Sequence, residues 1–352
     1  MRKVTRFLIV ASLTFGLGLS SAALAQGTAT SNTPALPPAL QAAMATGKPE
    51  AVQQAIAILS GGKPEQAAQL AVSVVKAAER MLATNPEGAI AMAVAAVATV
   101  KPSDIQQSAQ QQTSTVLTTA ARIFVNPAAE RIAPDATAQL ALATVQAAAT
   151  TGNATLSANI SSQAVGTAEK VLAGAPAAAM AVAAAAMQSV NQASVLQQAP
   201  AVSLQVAVTA ARIIIEPEAQ QVAPQTVAAI ATASVQVATT PNVYQTAPNS
   251  AMGVMASAYS AASSQPVIAA TPSVTATVRT ELQGAAQVQA LASANPNNGS
   301  SINAILATKQ PDAQQIPQQQ QQQTTNNQSN QSNQSNYNYL NSENRNFLGS
   351  PT

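Results

Sequence analysis

The stretch TAARIFVNPAAERIAP (residues 119–134) is written a second time as TAARIIIEPEAQQVAP (residues 209–224), with Arg122 and Arg212 in register 90 residues apart. A chain that repeats one cation and two prolines at a fixed interval is built from repeated units, not around a single irregular core. The register extends on both sides. AERMLATNP (78–86) precedes AEKVLAGAP (168–176) by 90 residues, and Pro266 lies a further 90 on. Alanine would match itself by chance. Glu79 with Glu169, Leu82 with Leu172, Pro86 with Pro176 and Gln146 with Gln236 would not do so readily. The duplication therefore covers about 78–153 and 168–242, with a partial third copy expected from about 258.

The repeated sentence has a physical reading. TAARIF and TAARII end long amphipathic helices, with Arg122 and Arg212 in the last turn, where a cation offsets the negative end of the helix dipole. Ile123 and Ile213 sit beside them as apolar anchors. The residue before a proline avoids the α region, so Pro127 and Pro217 stop those helices. Pro134 and Pro224 open the next ones, a position where the missing N–H is not needed. The eight residues mark a helix–corner–helix joint, with a structural role and no catalytic one.

Composition agrees. Apolar residues make up 47% of the chain but aromatic ones only 2%, so the apolar content is mostly alanine and valine. Alanine has the highest helix propensity and lets helices approach closely. GKPEAVQQAIAILS and GKPEQAAQLAVSVVKAAERML each open with a proline and a glutamate, the signature of a helix start. In the second, Ala67, Leu70, Ala71, Val74, Val75 and Ala78 fall on one face. Arg80, Arg122, Lys170 and Arg212 divide the chain at 42 to 48 residues. That is the size of a HEAT-type two-helix unit, without the HEAT consensus. The fold class is all-α: an alanine-rich helical repeat, either an αα-hairpin solenoid or a duplicated helical bundle.

Residues 1–25 read as a secretory signal peptide: Arg2, Lys3 and Arg6, then FLIVASLTFGLGL, then a small-x-small site ending at Ala25. Three of the 15 basic residues lie in this leader, leaving 12 against 13 acidic ones, so the mature chain gives no electrostatic hint of nucleic acid. Residues 26–46 form a polar lead-in and 47–293 the helical body. From 294 to 352 the text turns to Gln, Asn and Ser, too polar to bury a core, and reads as a disordered tail with INAILATK as one short helix within it.

The chain contains no His and no Cys. Serine and cysteine triads, His-containing zinc sites and His- or Cys-held haem are thereby excluded. Ser73 and Lys76 match S-x-x-K, but the S-D-N and K-T-G partners of that enzyme class are missing. Glu216 and Glu218 flank Pro217, yet the first copy has Asn126 and Ala128 there. No catalytic residue, cofactor or metal site is expected. The expectation is a non-enzymatic, exported structural or protein-interaction scaffold of a bacterial envelope, periplasmic or at the cell surface. It would bind a protein partner or itself, with no nucleic acid and no membrane contact after cleavage. The alternative is a periplasmic carrier for an apolar ligand.

Overall fold

The computed structural model describes residues 36–308, and from Pro37 onward these belong to one compact unit. The leader, most of the lead-in and the Gln/Asn-rich stretch after 308 lie outside the described residues. Among the described residues there are twenty helices and no strand.

Two helices open the unit, α1 (Pro38–Ala45) and α2 (Pro49–Ser60). The first repeat follows as α3 (Pro64–Met81), α4 (Pro86–Val100), α5 (Ser103–Ser108), α6 (Gln110–Phe124), α7 (Pro127–Ile132) and α8 (Pro134–Thr150). The second is α9 (Ala154–Val171), α10 (Pro176–Val190), α11 (Ala193–Gln198), α12 (Pro200–Ile215), α13 (Pro217–Val222) and α14 (Pro224–Thr239). All six starts are displaced by 90 residues. The last stretch holds α15 (Pro241–Thr246), α16 (Pro248–Ala262), α17 (Gln265–Ala270), α18 (Val274–Ala286), α19 (Gln289–Ala294) and α20 (Asn298–Ala307).

Most of these helices begin with proline at the first position, where its fixed φ suits a helix and its missing N–H is no loss. The corners are of two kinds. Most are six-residue helices. A few are tight turns, and three of these hold left-handed glycine: Gly47 (φ 71°) before α2, Gly61 and Gly62 (φ 56° and 76°) before α3, and Gly152 (φ 71°) before α9. Gly62 and Gly152 too are 90 residues apart, and glycine takes that conformation without a Cβ clash.

The long helices alternate between two rows. α2, α4, α8, α10, α14 and α18 form the first; α3, α6, α9, α12, α16 and α20 form the second, each helix packing on its neighbours within and across the rows. Chain passing from the first row to the second turns at one edge, called here the forward edge, through α5, the 151–153 turn, α11, α15 and α19. It returns at the opposite edge through α7, the 172–175 turn, α13 and α17. The core lies between the rows and is made largely of alanine and valine, with Ile90, Met92, Leu117, Phe124, Leu140 and Met180 as its larger members, all almost fully buried.

Two expectations are corrected. No third copy forms from 258. Pro176 opens the 15-residue α10, whereas Pro266 is only the second residue of six-residue α17. A shorter step of 24 residues already links α4, α6 and α8, which start at 86, 110 and 134, and from α10 onward it runs unbroken: long helices start at 176, 200, 224 and 248, and short ones at 193, 217, 241, 265 and 289. The two stretches differ at one point. Where the second copy begins with the Thr151-Gly152-Asn153 turn, the chain 90 residues on has Pro241, which starts a short helix instead. Second, the body does not end at 293. Asn298–Ala307 forms α20, which packs on α16 and α18, with Ile302 and Asn298 fully buried and Asn298 Nδ2 donating to the Ala285 carbonyl at 3.1 Å. Its polar start reads as linker, but one buried isoleucine and the hydrogen bond from the buried Asn298 amide seat it on the stack. Likewise α1 lies inside the supposed polar lead-in and buries Leu40.

Candidate functional site

The repeat joints come first. Arg122 and Arg212 do end long helices, and Ile123 and Ile213 beside them are fully buried. Pro134 and Pro224 open α8 and α14. The corner between is itself helical: Pro127 and Pro217 open α7 and α13, with the Asn126 side chain capping α7 by accepting from the Ala128 N–H at 2.9 Å. The two joints remain separate, since α9 lies between α6 and α12 in the second row.

The arginines do more than face a dipole. Arg122 Nε donates to Glu79 Oε1 at 2.6 Å, and Arg212 Nη2 to Glu169 Oε2 at 2.9 Å. Each pair ties two neighbours of the second row, α3 to α6 and α9 to α12. The guanidinium of Arg122, by its hydrogen bond, holds the Glu79 carboxyl below the usual carboxylate range. All four residues stand out in the 90-residue register. The signal for the pairing was their common 43-residue separation in both copies.

A polar line runs along the first row at 45-residue steps: Lys101, Gln146, Asn191, Gln236 and Glu281. Lys101 Nζ donates to Gln146 Oε1 at 3.3 Å, Asn191 Nδ2 to Gln236 Oε1 at 2.9 Å, and Gln236 Nε2 to Glu281 Oε1 at 3.1 Å. Beside it lies an open furrow of about 500 Å³. Its floor is α10, with Ala181, Ala184 and Ala185; Leu142 of α8 and Ile230 of α14 line its sides. The furrow exists because Ala181, Ala184 and Ala185 of α10 and Ala229 and Ala233 of α14 leave the space between the helices unfilled.

A second cavity, of about 340 Å³, opens on the forward edge. Gln106 of α5, Gln110 and Ser114 at the start of α6, the Thr151-Gly152-Asn153 turn and Gln198 of α11 line it. No ionisable group is among the lining residues. Its existence follows from the corner chemistry: between α5 and α19 this is the one forward-edge corner that is a tight turn and not a six-residue helix. Gln106 is buried and fixed, its Nε2 donating to the carbonyls of Lys101 and Ala147 and to Thr150 Oγ1. Thr113, 1% exposed, also lines the notch, and its hydroxyl has no hydrogen-bond partner.

The Ser73 and Lys76 pair lies on α3. The Ser73 hydroxyl donates to the Gln69 carbonyl of its own helix at 3.1 Å, and Lys76 is exposed. Among the described residues no three His, Cys, Asp or Glu cluster as metal ligands, and no helix is long and apolar enough to cross a membrane. No protein-family model matches the sequence, and no curated protein or solved structure matches it.

Proposed function

We propose that this protein is an exported, non-enzymatic scaffold of the cell envelope that binds a protein along its first row of helices. The observation that supports this reading is the alanine-floored furrow over α10, bordered by the polar line of Gln146, Asn191 and Gln236. Side chains at a helix–helix contact set the interaxial distance, commonly 8–10 Å, so an alanine floor admits a partner helix closely. The amide line beside it would fix register through hydrogen bonds. A photo-crosslinking residue placed at Ala184 in intact cells tests it, with Gln163 on the second row as control. The expected result is one protein adduct from Ala184, none from Gln163, and a mature N-terminus at Gln26 in the envelope fraction. Equal labelling from both positions, or full-length protein in the cytosol, would overturn it.

The carrier reading rests on the same furrow, because Leu142, Met187 and Ile230 give it an apolar lining. A lipid-like molecule released from the purified protein, and lost on Ala184→Gln, would favour that reading over the scaffold.

A further inference from the structure

The forward edge carries a row of short helices with one place left open. α11, α15 and α19 touch in sequence along it, and α15 seats itself at the start of α12. The corresponding place in the first repeat, between α5 and α11 at the start of α6, is the polar notch. The two places differ residue by residue at 90-residue spacing. Where the filled place has Leu204, Val243 and Tyr244, all buried, the notch has Ser114, Asn153 and Ala154. So the space that α15 fills with its own apolar side chains is left vacant in the first repeat and lined with amides and hydroxyls.

The Gln106 amide N–H groups are used within the fold, but other donors of the notch are unspent. α6 begins with Gln110 where α8, α12, α14 and α16 begin with proline, and no side chain caps it. The first N–H groups of a helix have no intrahelical acceptor. The Thr113 hydroxyl, buried against the same notch, is unpartnered as well. A place shaped for six residues of chain, uncharged, and rich in donors and acceptors fits a short polar peptide without charges.

We propose that the notch holds a segment of this protein's own C-terminal tail, from within residues 313–342, folded back on the same molecule. That segment contains no Lys, Arg, Asp or Glu between Asp312 and Glu343, and includes six consecutive glutamines at 318–323. Its side-chain amides both donate and accept, matching Gln106, Gln110, Asn153 and Gln198. Length allows it. From Thr308 the path back to α9 crosses three helices of the second row, about 30 Å at 8–10 Å per helix. It also crosses one helix length, about 23 Å at 1.5 Å per residue. Twenty residues of extended chain reach about 70 Å. Tethering gives the segment a high effective concentration, so modest hydrogen bonding suffices.

The chain lacks cysteine, which makes thiol trapping in the full mature protein a clean test. Gln198→Cys in the notch is paired with Gln328→Cys in the tail, twenty residues beyond Thr308, and Gln225→Cys on the opposite edge serves as control. Under a mild oxidant the notch pair should close at least ten-fold faster than the control, at a rate independent of protein concentration. Adding Asn327→Glu and Ser329→Glu places charges in the tail without touching the helical body, and should bring the rate down to the control's. Equal rates for the two pairs would overturn the proposal. So would closure only between separate copies, or a rate unmoved by the added charges.

Discussion

Two places on the forward edge share a backbone plan and differ in what fills them. At the start of α12, α15 inserts Val243 and Tyr244, both fully buried. At the start of α6 the chain turns sharply through Gly152 and leaves a polar notch. The difference teaches that the step of this stack is set at its corners. A glycine turn carries the chain directly into an 18-residue helix and closes a 90-residue period. A proline one position earlier in register starts a six-residue helix and continues the 24-residue step that the glycine turn interrupts.

The largest expected effect comes from emptying the filled place. Tyr244→Ala should destabilise by about 3–5 kcal/mol, the range for removing a buried aromatic ring. Ser114→Ala in the notch should stay within about 0.5 kcal/mol, as for surface changes. Urea midpoints of the two variants decide the matter, and similar losses would erase the contrast between the places. Burial also pushes the Tyr244 phenol above its ordinary 10.0. A raised pKa means that the folded state favours the neutral phenol. Its contribution is therefore complete below pH 10 and is lost as pH rises through the folded value, a loss that Tyr244→Phe should remove.

Next in size are the apolar anchors of the joints, where the two repeats should behave alike. Ile123 and Ile213 are both fully buried. Truncation to alanine should cost about 2–5 kcal/mol at each, the spread depending on how far the site collapses. The measurement is the difference between copies, read from denaturant midpoints. A severe Ile123→Ala beside a silent Ile213→Ala would show that the matching helix starts hide unlike packing.

Much of this is legible in the sequence. Proline starts and the 3.6-residue apolar pattern place most long helices, because both act within a few residues. The 90-residue register was legible because it preserves rare residues: Glu79, Arg122, Pro127 and their partners. The six-residue helices were not, since AERI or QQV after a proline is too short to show a period. The 24-residue step hides for the same reason, as it lives in corner positions and not in the alanine-rich helices between them. The notch was invisible as well. It arises from a missing element, and only the packing of α5, α6 and α11 around the 151–153 turn reveals it. The extent of the body is not legible at α20, where a sequence window sees Asn, Gly and Ser but not the surface that Ile302 covers.

A smaller effect should appear at the glycine corners. Gly62 and Gly152 hold φ near +70°, and an added Cβ at either would meet nothing within 4 Å. The cost of Gly62→Ala or Gly152→Ala is thus conformational alone, about 1–2 kcal/mol for an L-residue in the left-handed region. The two should agree when thermal midpoints are converted at a common temperature. A much larger loss at Gly152 would show that the notch constrains the turn beyond its backbone.

The smallest effect concerns the two clamps. The Arg122–Glu79 side chains are 55% and 35% exposed, and those of Arg212–Glu169 are 37% and 37% exposed. Exposed ion pairs are worth about 0.2–1 kcal/mol, since solvent screens them and long side chains lose freedom in holding them. Arg122→Ala and Arg212→Ala should each fall near that range, and double-mutant cycles with Glu79→Ala and Glu169→Ala isolate the pair from the arginine stem's packing. Added salt should shrink the coupling. The Glu79 cycle carries a pH signature. Arg122 lowers the folded pKa of Glu79 from its ordinary 4.5, so the folded state favours the carboxylate. Its stabilisation is then present above pH 4.5 and disappears as pH falls through the folded value. A coupling that persists in acid would mean that the 2.6 Å contact acts through packing between α3 and α6. The match of Glu79 and Arg122 with Glu169 and Arg212 would then mark a helix crossing, with the charges incidental to it.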